Sequence, residues 1–168
     1  MFIRKKKINN KQYGYLVESV WTPKGSRQKV KAYVGRIHEL KPLKNHDFQT
    51  TREDPQNIVK ALIIWELEKH GFIPYPDNEQ QLIKDFLIFN KNTLMLKEKN
   101  KEVVLKINEG YLCNYTLQQL LGELKKNPLK EEDQRKKATQ LAEAFVSAGI
   151  SIPQETFINI FQQITEKE

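Results

Sequence analysis

Residues 27–34 alternate strictly. Val30, Ala32 and Val34 fall on one set of positions, and Arg27, Lys29, Lys31 and Tyr33 on the other. A period of two belongs to an extended chain, whose side chains point to opposite sides in turn. This constrains the fold more than any other feature, because its neighbours read the same way. Phe2 to Ile8 is a strand-like run, and Asn9-Asn10 after it tolerates the positive φ of a tight hairpin. Tyr13 to Trp21 is rich in aromatic and β-branched residues, and Thr22-Pro23-Lys24-Gly25-Ser26 supplies turn chemistry. The expectation is a three-stranded antiparallel meander that ends at Gly35. In its second strand Leu16, Glu18 and Val20 share one side, while Tyr13, Tyr15, Val17 and Trp21 share the other. Whether the aromatic and basic rows of the two strands meet on one face depends on register, which sequence leaves open.

The remainder predicts a mixed body. Residues 37–53 are polar, contain Pro42 and show no period, as a linker does. Asp54 is a good N-cap with Pro55 at the first helical position, and Gly71 suits the C′ position of the helix so begun. Ile58, Val59, Ala61, Leu62, Ile64, Trp65 and Leu67 make that helix apolar around much of its surface, so it belongs in a core. A short helix is expected from Asn78 into Leu82. Three strand-like runs follow, Phe86–Phe89, Leu94–Lys97 and Val103–Ile107, then a turn at Asn108-Glu109-Gly110 before Tyr111-Leu112-Cys113. Helices are expected from Thr116 to Lys126, broken at Asn127-Pro128, then from Glu131 to Ala148 with Gly149 at its end. A last one is capped by Ser151 and runs to about Thr165. The fold class is α+β, with a basic meander and the start of a linker over 1–46 and an α+β body with C-terminal helices over 47–168.

Charge divides the chain at the same place. Residues 1–46 hold twelve Lys and Arg against two Glu, a net +10, whereas residues 47–168 hold 16 bases against 19 acids, a net −3. All of the basic excess therefore lies in the meander and its exit, which suits a surface that meets a polyanion. The longest apolar run, Ala61 to Trp65, is far short of the roughly 20 residues a membrane span needs. The stretch after Arg4-Lys5-Lys6-Lys7 is polar, unlike a signal peptide, so a cytoplasmic protein without membrane contact is expected. Cys113 is the only cysteine, and His38, His46 and His70 show no ligand spacing, so neither a disulfide nor a metal is expected.

The N-terminal tract also resembles a known family. Met1-Phe2-Ile3-Arg4-Lys5-Lys6-Lys7, then Tyr13-Gly14-Tyr15-Leu16-Val17-Glu18-Ser19-Val20, then Arg27-Gln28-Lys29-Val30-Lys31-Ala32-Tyr33-Val34-Gly35-Arg36-Ile37-His38-Glu39-Leu40, resembles the opening segment of DDE-type insertion-sequence transposases. The likeness covers about a quarter of the chain. It implies a transposase-like N-terminal module whose role is DNA contact. It does not imply transposition. The family's three catalytic carboxylates sit on an RNase-H-like core for which 168 residues leave no room, and Asp54, Asp77, Asp85 and Asp133 fall in helices and turns.

These readings converge on a non-enzymatic nucleic-acid-binding protein, with DNA the favoured polymer and no cofactor. Candidate phosphate contacts are Arg4, Lys6, Lys29, Lys31 and Arg36; candidate stacking rings are Tyr13, Tyr15 and Tyr33. The plainer alternative is that the lysines keep a sheet soluble and guard its edges while the tyrosines pack. The second functional reading is an interaction module or regulatory subunit that meets an acidic partner. In it the apolar C-terminal helices mediate dimerisation or hold a partner through Phe157 and Phe161. A helix-turn-helix over 142–165 is disfavoured, because residues 153–165 contain no Lys or Arg to face phosphate. No phosphate loop and no nucleophile–base order appears, and Trp65, His70 and Cys113 read most simply as packing.

Overall fold

A computed structural model describes residues 1–50, 53–125 and 131–165. The chain is α+β, with nine strands and four helices among these residues. Strands β1 (Phe2–Ile8), β2 (Lys11–Thr22) and β3 (Gly25–Glu39) form the antiparallel meander. Asn9 and Asn10 turn it with φ of 47° and 61°, the pair of positive values that a two-residue type I′ hairpin needs. At the second turn the Thr22 hydroxyl donates to the Gly25 carbonyl at 2.7 Å.

Gly35 does not end the third strand. β3 continues to Glu39 because Gly35, at φ 133°, lets the backbone turn onto a new neighbour. That neighbour is β8 (Lys101–Ile107), and the pairing is parallel, Arg36 with Val103 through Glu39 with Lys106. A Cβ at position 35 would stand 2.8 Å from the Glu102 carbonyl oxygen and 3.0 Å from the Val103 Cα. The first three residues of the expected linker are thus strand, and its other described residues, 40–50 and 53, run without regular structure. They fold back along α1 (Pro55–Lys69), where Leu43 N–H donates to the Lys69 carbonyl at 2.8 Å and the Trp65 indole N–H donates to the His46 carbonyl at 3.1 Å.

Helix α1 begins and ends as its sequence demands. The Asp54 carboxylate accepts from the N–H groups of Gln56 and Asn57. At the other end Gly71, at φ 91°, donates to the Glu68 carbonyl and Phe72 donates to the Leu67 carbonyl, the paired bonds of a Schellman motif. The chain then enters β4 (Ile73–Tyr75) and β5 (Asn78–Lys84). The helix expected at Asn78–Leu82 is therefore a strand. Its Gln-rich sequence tolerates either state, and pairing on both sides decides: Leu82 lies opposite Phe89 and Pro74, and both Leu82 and Phe89 are fully buried.

Strands β6 (Leu87–Asn90) and β7 (Met95–Glu98) lead to β8, and β9 (Gly110–Leu112) folds back on it. Phe86, expected to open a strand, sits in the preceding turn and is 73% exposed. The sheet order is β1-β2-β3-β8-β7-β6-β5-β4, with β9 beside the end of β8. Helices α2 (Asn114–Glu123), α3 (Glu131–Ala148) and α4 (Gln154–Thr165) complete the chain. The break expected at Asn127-Pro128, and Lys126 before it, lie outside the described residues. α3 packs on α2 and β9, and α4 packs on α1. No helix is long and apolar enough to cross a membrane among the described residues.

One polar junction ties the helices to the sheet. The fully buried Glu66 carboxylate accepts from Asn108 Nδ2 at 2.9 Å, from Ser151 N–H at 3.0 Å and from Lys69 Nζ at 3.2 Å. Those partners sit on the β8–β9 turn, the α3–α4 connection and α1 itself. An acid in an apolar core is tolerated when its oxygens are filled in this way.

Replacing Gly35 by Ala adds the Cβ for which β8 leaves no space, at a φ that L-residues avoid. The expected loss is about 2 kcal/mol or more in urea unfolding. A loss below about 0.5 kcal/mol would show that the β3–β8 approach is looser than described.

Candidate nucleic-acid interface

The meander's register settles which side chains share a face. Cross-strand partners lie on the same side of a sheet. Arg4 pairs with Tyr15 and Lys6 with Tyr13 across β1 and β2; Tyr15 pairs with Tyr33 and Tyr13 with Arg36 across β2 and β3. One face therefore carries Arg4, Lys6, Tyr13, Tyr15, Tyr33 and Arg36 together. Lys11, in step with Tyr13, adds another cation at its margin.

Two bulges produce this outcome. The β2–β3 register slips at Gly14/Tyr15 and again at Leu16/Val17, leaving Val34 and Lys31 as the extra residues of β3. Each slip reverses the assignment that simple alternation makes. After the second, Val30 pairs with Val17 and joins the tyrosine side, and Lys29 pairs with Glu18 on the opposite side. Lys31 goes with it and forms a 2.7 Å ion pair with Glu18. The eight candidate residues therefore divide: six share the tyrosine face, and Lys29 and Lys31 lie behind it.

The three tyrosines form a cluster rather than a row of free rings. The Tyr33 ring centroid is 5.6 Å from that of Tyr15 and 6.3 Å from that of Tyr13, tilted against both. Tyr13 and Tyr15 are half-buried, and Tyr33 is 57% exposed. Partial burial, and then the neighbouring Tyr13 and Tyr15 phenols, hold the Tyr33 hydroxyl above the ordinary tyrosine range. It therefore stays a neutral donor at pH 7. Arg4 reaches across β2 to donate to the Gln28 side chain at 3.0 Å, passing at the level of the fully buried Val17. Lys6 is exposed, and Arg36 stands 3.5 Å from the Glu98 carboxylate of β7. His38 contacts the same oxygen at 3.2 Å. Glu98 thus draws on the charge of Arg36 and fixes where its guanidinium points. The parallel β3–β8 pairing brings this acid in from sixty residues away, and no local signal in the sequence marks it.

The meander's other face has an apolar part and a basic part. Near β8, Ile3 and Val34 pack with Ile37, Val104 and Cys113, flanked by Tyr111 and Tyr115. Beside this patch lies an open cleft of about 610 Å³, bordered by Leu16, Ala32 and Val34 and by Asn114 and Gln118 at the start of α2. A second cleft of about 460 Å³ lies between the first residues of β1 and helices α2 and α3, with Glu109, Glu123 and Glu143 at its rim. Farther out, Arg27 and Lys29 are exposed.

Phe157 and Phe161 of α4 are each partly buried against the main core, and their rings stack at 6.3 Å with an interplanar angle of 4°. Phe145 meets Phe157 edge-on. His70 is fully buried at the end of α1, where its Nδ1 lies 2.8 Å from the Glu66 carbonyl. Trp65 is flanked by His46, Phe48 and Lys69. Among the described residues no three His, Cys, Asp or Glu side chains are grouped so as to hold a metal ion. Compared with protein-family models, curated proteins and solved structures, the chain matches none.

The hydrogen bond from Lys31, and then its charge, hold the Glu18 carboxyl below the ordinary glutamate range. The folded-state value is the lower one. The pair's small contribution is therefore present above the unfolded glutamate range and is lost as pH falls through the folded value. Lys31→Ala should move the Glu18 midpoint upward in a carboxyl-detected NMR titration. An unmoved midpoint would mean that Lys29, opposite Glu18, supplies the charge instead.

Proposed function

We propose that this chain is a non-enzymatic nucleic-acid-binding protein, with DNA as its polymer. Its binding surface is the tyrosine face of the N-terminal meander. The observation that carries this reading is the register that gathers Arg4, Lys6, Tyr13, Tyr15, Tyr33 and Arg36 on one side of the sheet. Cations alone would give solubility, and tyrosines alone would give packing. Together on an exposed sheet face they match both needs of a nucleic-acid strand: counter-charges for phosphate and flat rings for bases. The charge distribution points the same way, since the net +10 of residues 1–46 is opposed by a weakly acidic body. Choosing DNA over RNA rests on the resemblance of the first forty residues to the opening segment of insertion-sequence transposases.

In this reading Arg4 and Lys6 contact phosphates, Tyr33 presents the exposed ring, and Tyr13 and Tyr15 hold that ring in place. Arg36, already engaged by Glu98, positions the edge of the surface. Lys29 and Lys31 contribute to the general field from the opposite face. The body serves as the platform that keeps β3 extended.

Affinity should then fall steeply with salt, because each neutralised phosphate releases counterions. Replacing Arg4 and Lys6 together by Ala should weaken binding alike for all sequences. It should also flatten the slope of log K against log salt by about 1 to 2. Loss of affinity with an unchanged slope would argue against phosphate contact. An intact protein that binds no nucleic acid at low salt but captures an acidic polypeptide would transfer the surface to a protein partner.

A further inference from the structure

The meander does not stop where its packing stops. Val17 is the last buried residue of β2, yet β2 and β3 remain paired for five more rungs, from Glu18 opposite Lys29 to Thr22 opposite Gly25. At about 3.4 Å per residue this ribbon projects some 17 Å beyond the core. Its chain is exposed almost throughout.

Such a ribbon is costly for a protein with no use for it. A free two-stranded hairpin is marginal in water, and its edges invite unwanted pairing. The side chain near its end is unusual as well. Trp21, beside the Pro23-Lys24 turn, is 84% exposed. A large apolar ring held in water on a short, tightly turned hairpin is oriented for contact with something outside the molecule.

Register places that ring. Trp21 pairs with Ser26 and is in step with Ser19, Val17, Tyr15 and Tyr13, so it lies on the tyrosine face. Val30, 58% exposed, lies on the same side between Trp21 and Tyr33. The reverse face of the ribbon carries Arg27 and Lys29, with Lys31 at its base. The bulge at Leu16/Val17 thus puts Trp21 and Val30 on one side of the arm, with Ser19, Ser26 and Gln28, and the cations on the other, with Glu18 and Val20.

We infer that the polymer is bound as an unpaired single strand, and that Trp21 is its outermost stacking ring. This rests on the nucleic-acid reading above and names its substrate class. In a duplex the π-faces of the bases are already stacked on one another, and only edges and phosphates are presented. Exposed rings along a sheet face have nothing to stack on there. An unpaired strand offers a free π-face at every nucleotide. Six residues separate Trp21 from the Tyr15–Tyr33 cluster, about 20 Å along the strand. That distance suits a short run of nucleotides rather than one base, with Val30 in apolar contact between the rings. Arg27, Lys24 and Lys29 lie at the ribbon's end and reverse face, where the strand's phosphates leave the surface.

The test uses the intact protein and two probes of equal length, an unpaired oligothymidylate of about 12 nucleotides and the corresponding duplex, within the site size such surfaces occupy. The single strand should bind more tightly than the duplex and quench tryptophan emission. In Trp21→Ala that quenching should disappear, and single-strand affinity should fall about tenfold. Trp21 is 84% exposed, so the variant should fold as the parent does, and Trp21→Phe should restore most of the affinity. Tighter duplex binding would overturn the inference and leave the nucleic-acid reading standing. So would single-strand binding that Trp21→Ala leaves unchanged. Failure of both probes to bind at low salt would remove the two together.

Discussion

Four residues of β3, Arg36–Glu39, pair in parallel with Val103–Lys106 of β8, and this short ladder joins the basic meander to the rest of the protein. Parallel pairing cannot be made by a hairpin, so the chain travels through α1 and four strands before β8 reaches its partner. Gly35 makes the junction possible, because a side chain there would meet the β8 backbone. β8 is then filled on both edges. β3 takes one, and β7 and β9 share the other at its start and its end. With its edges occupied and Val103, Val104, Leu105 and Ile107 buried, β8 is the rigid element from which the meander projects.

That anchorage has consequences for the surface. The inner end of the meander inherits order from β8, and its back is covered by Ile37, Val104 and Cys113. The tyrosine side and the outer ribbon face solvent. An acid at the margin of the tyrosine face, Glu98, arrives by the same route through β7 and holds Arg36 and His38 there. The buried Glu66 junction does comparable work for the body, holding α1, the β8–β9 turn and the α3–α4 connection to a common point. Neither interaction is local in sequence.

Much of this was legible in the chain. The meander's first hairpin follows from Asn9-Asn10, and α1 begins and ends where Asp54-Pro55 and Gly71 require. Three further features escaped, each for a physical reason. Gly35 reads as a strand end, since positive φ is usually a turn, and only the β8 backbone beside it shows why the strand goes on. Asn78–Leu82 has the composition of a helix, and pairing on both sides overrides that preference. The bulges matter most for function. Strict alternation puts Lys29, Lys31 and Tyr33 on one face, and one extra residue at Lys31 moves the two lysines behind the ring. Sequence alone identifies the residues of a basic, aromatic tract; a slip of one residue decides which of them act together. Trp21 was visible as a strand residue beside a turn, but its isolation became apparent only once the ribbon was seen to outrun the core.

The central claim is that the tyrosine face, and not the helical body, meets nucleic acid. Chemical-shift mapping of the intact protein during titration with an unpaired DNA oligonucleotide tests it most directly. The account predicts that the perturbed signals trace one side of one sheet: the Arg4 and Lys6 side chains and the Tyr33, Tyr15 and Trp21 rings, with α1 and α4 unmoved. Perturbations centred on α4 or on the cleft between β1 and α3, with the Tyr33 ring unchanged, would contradict it.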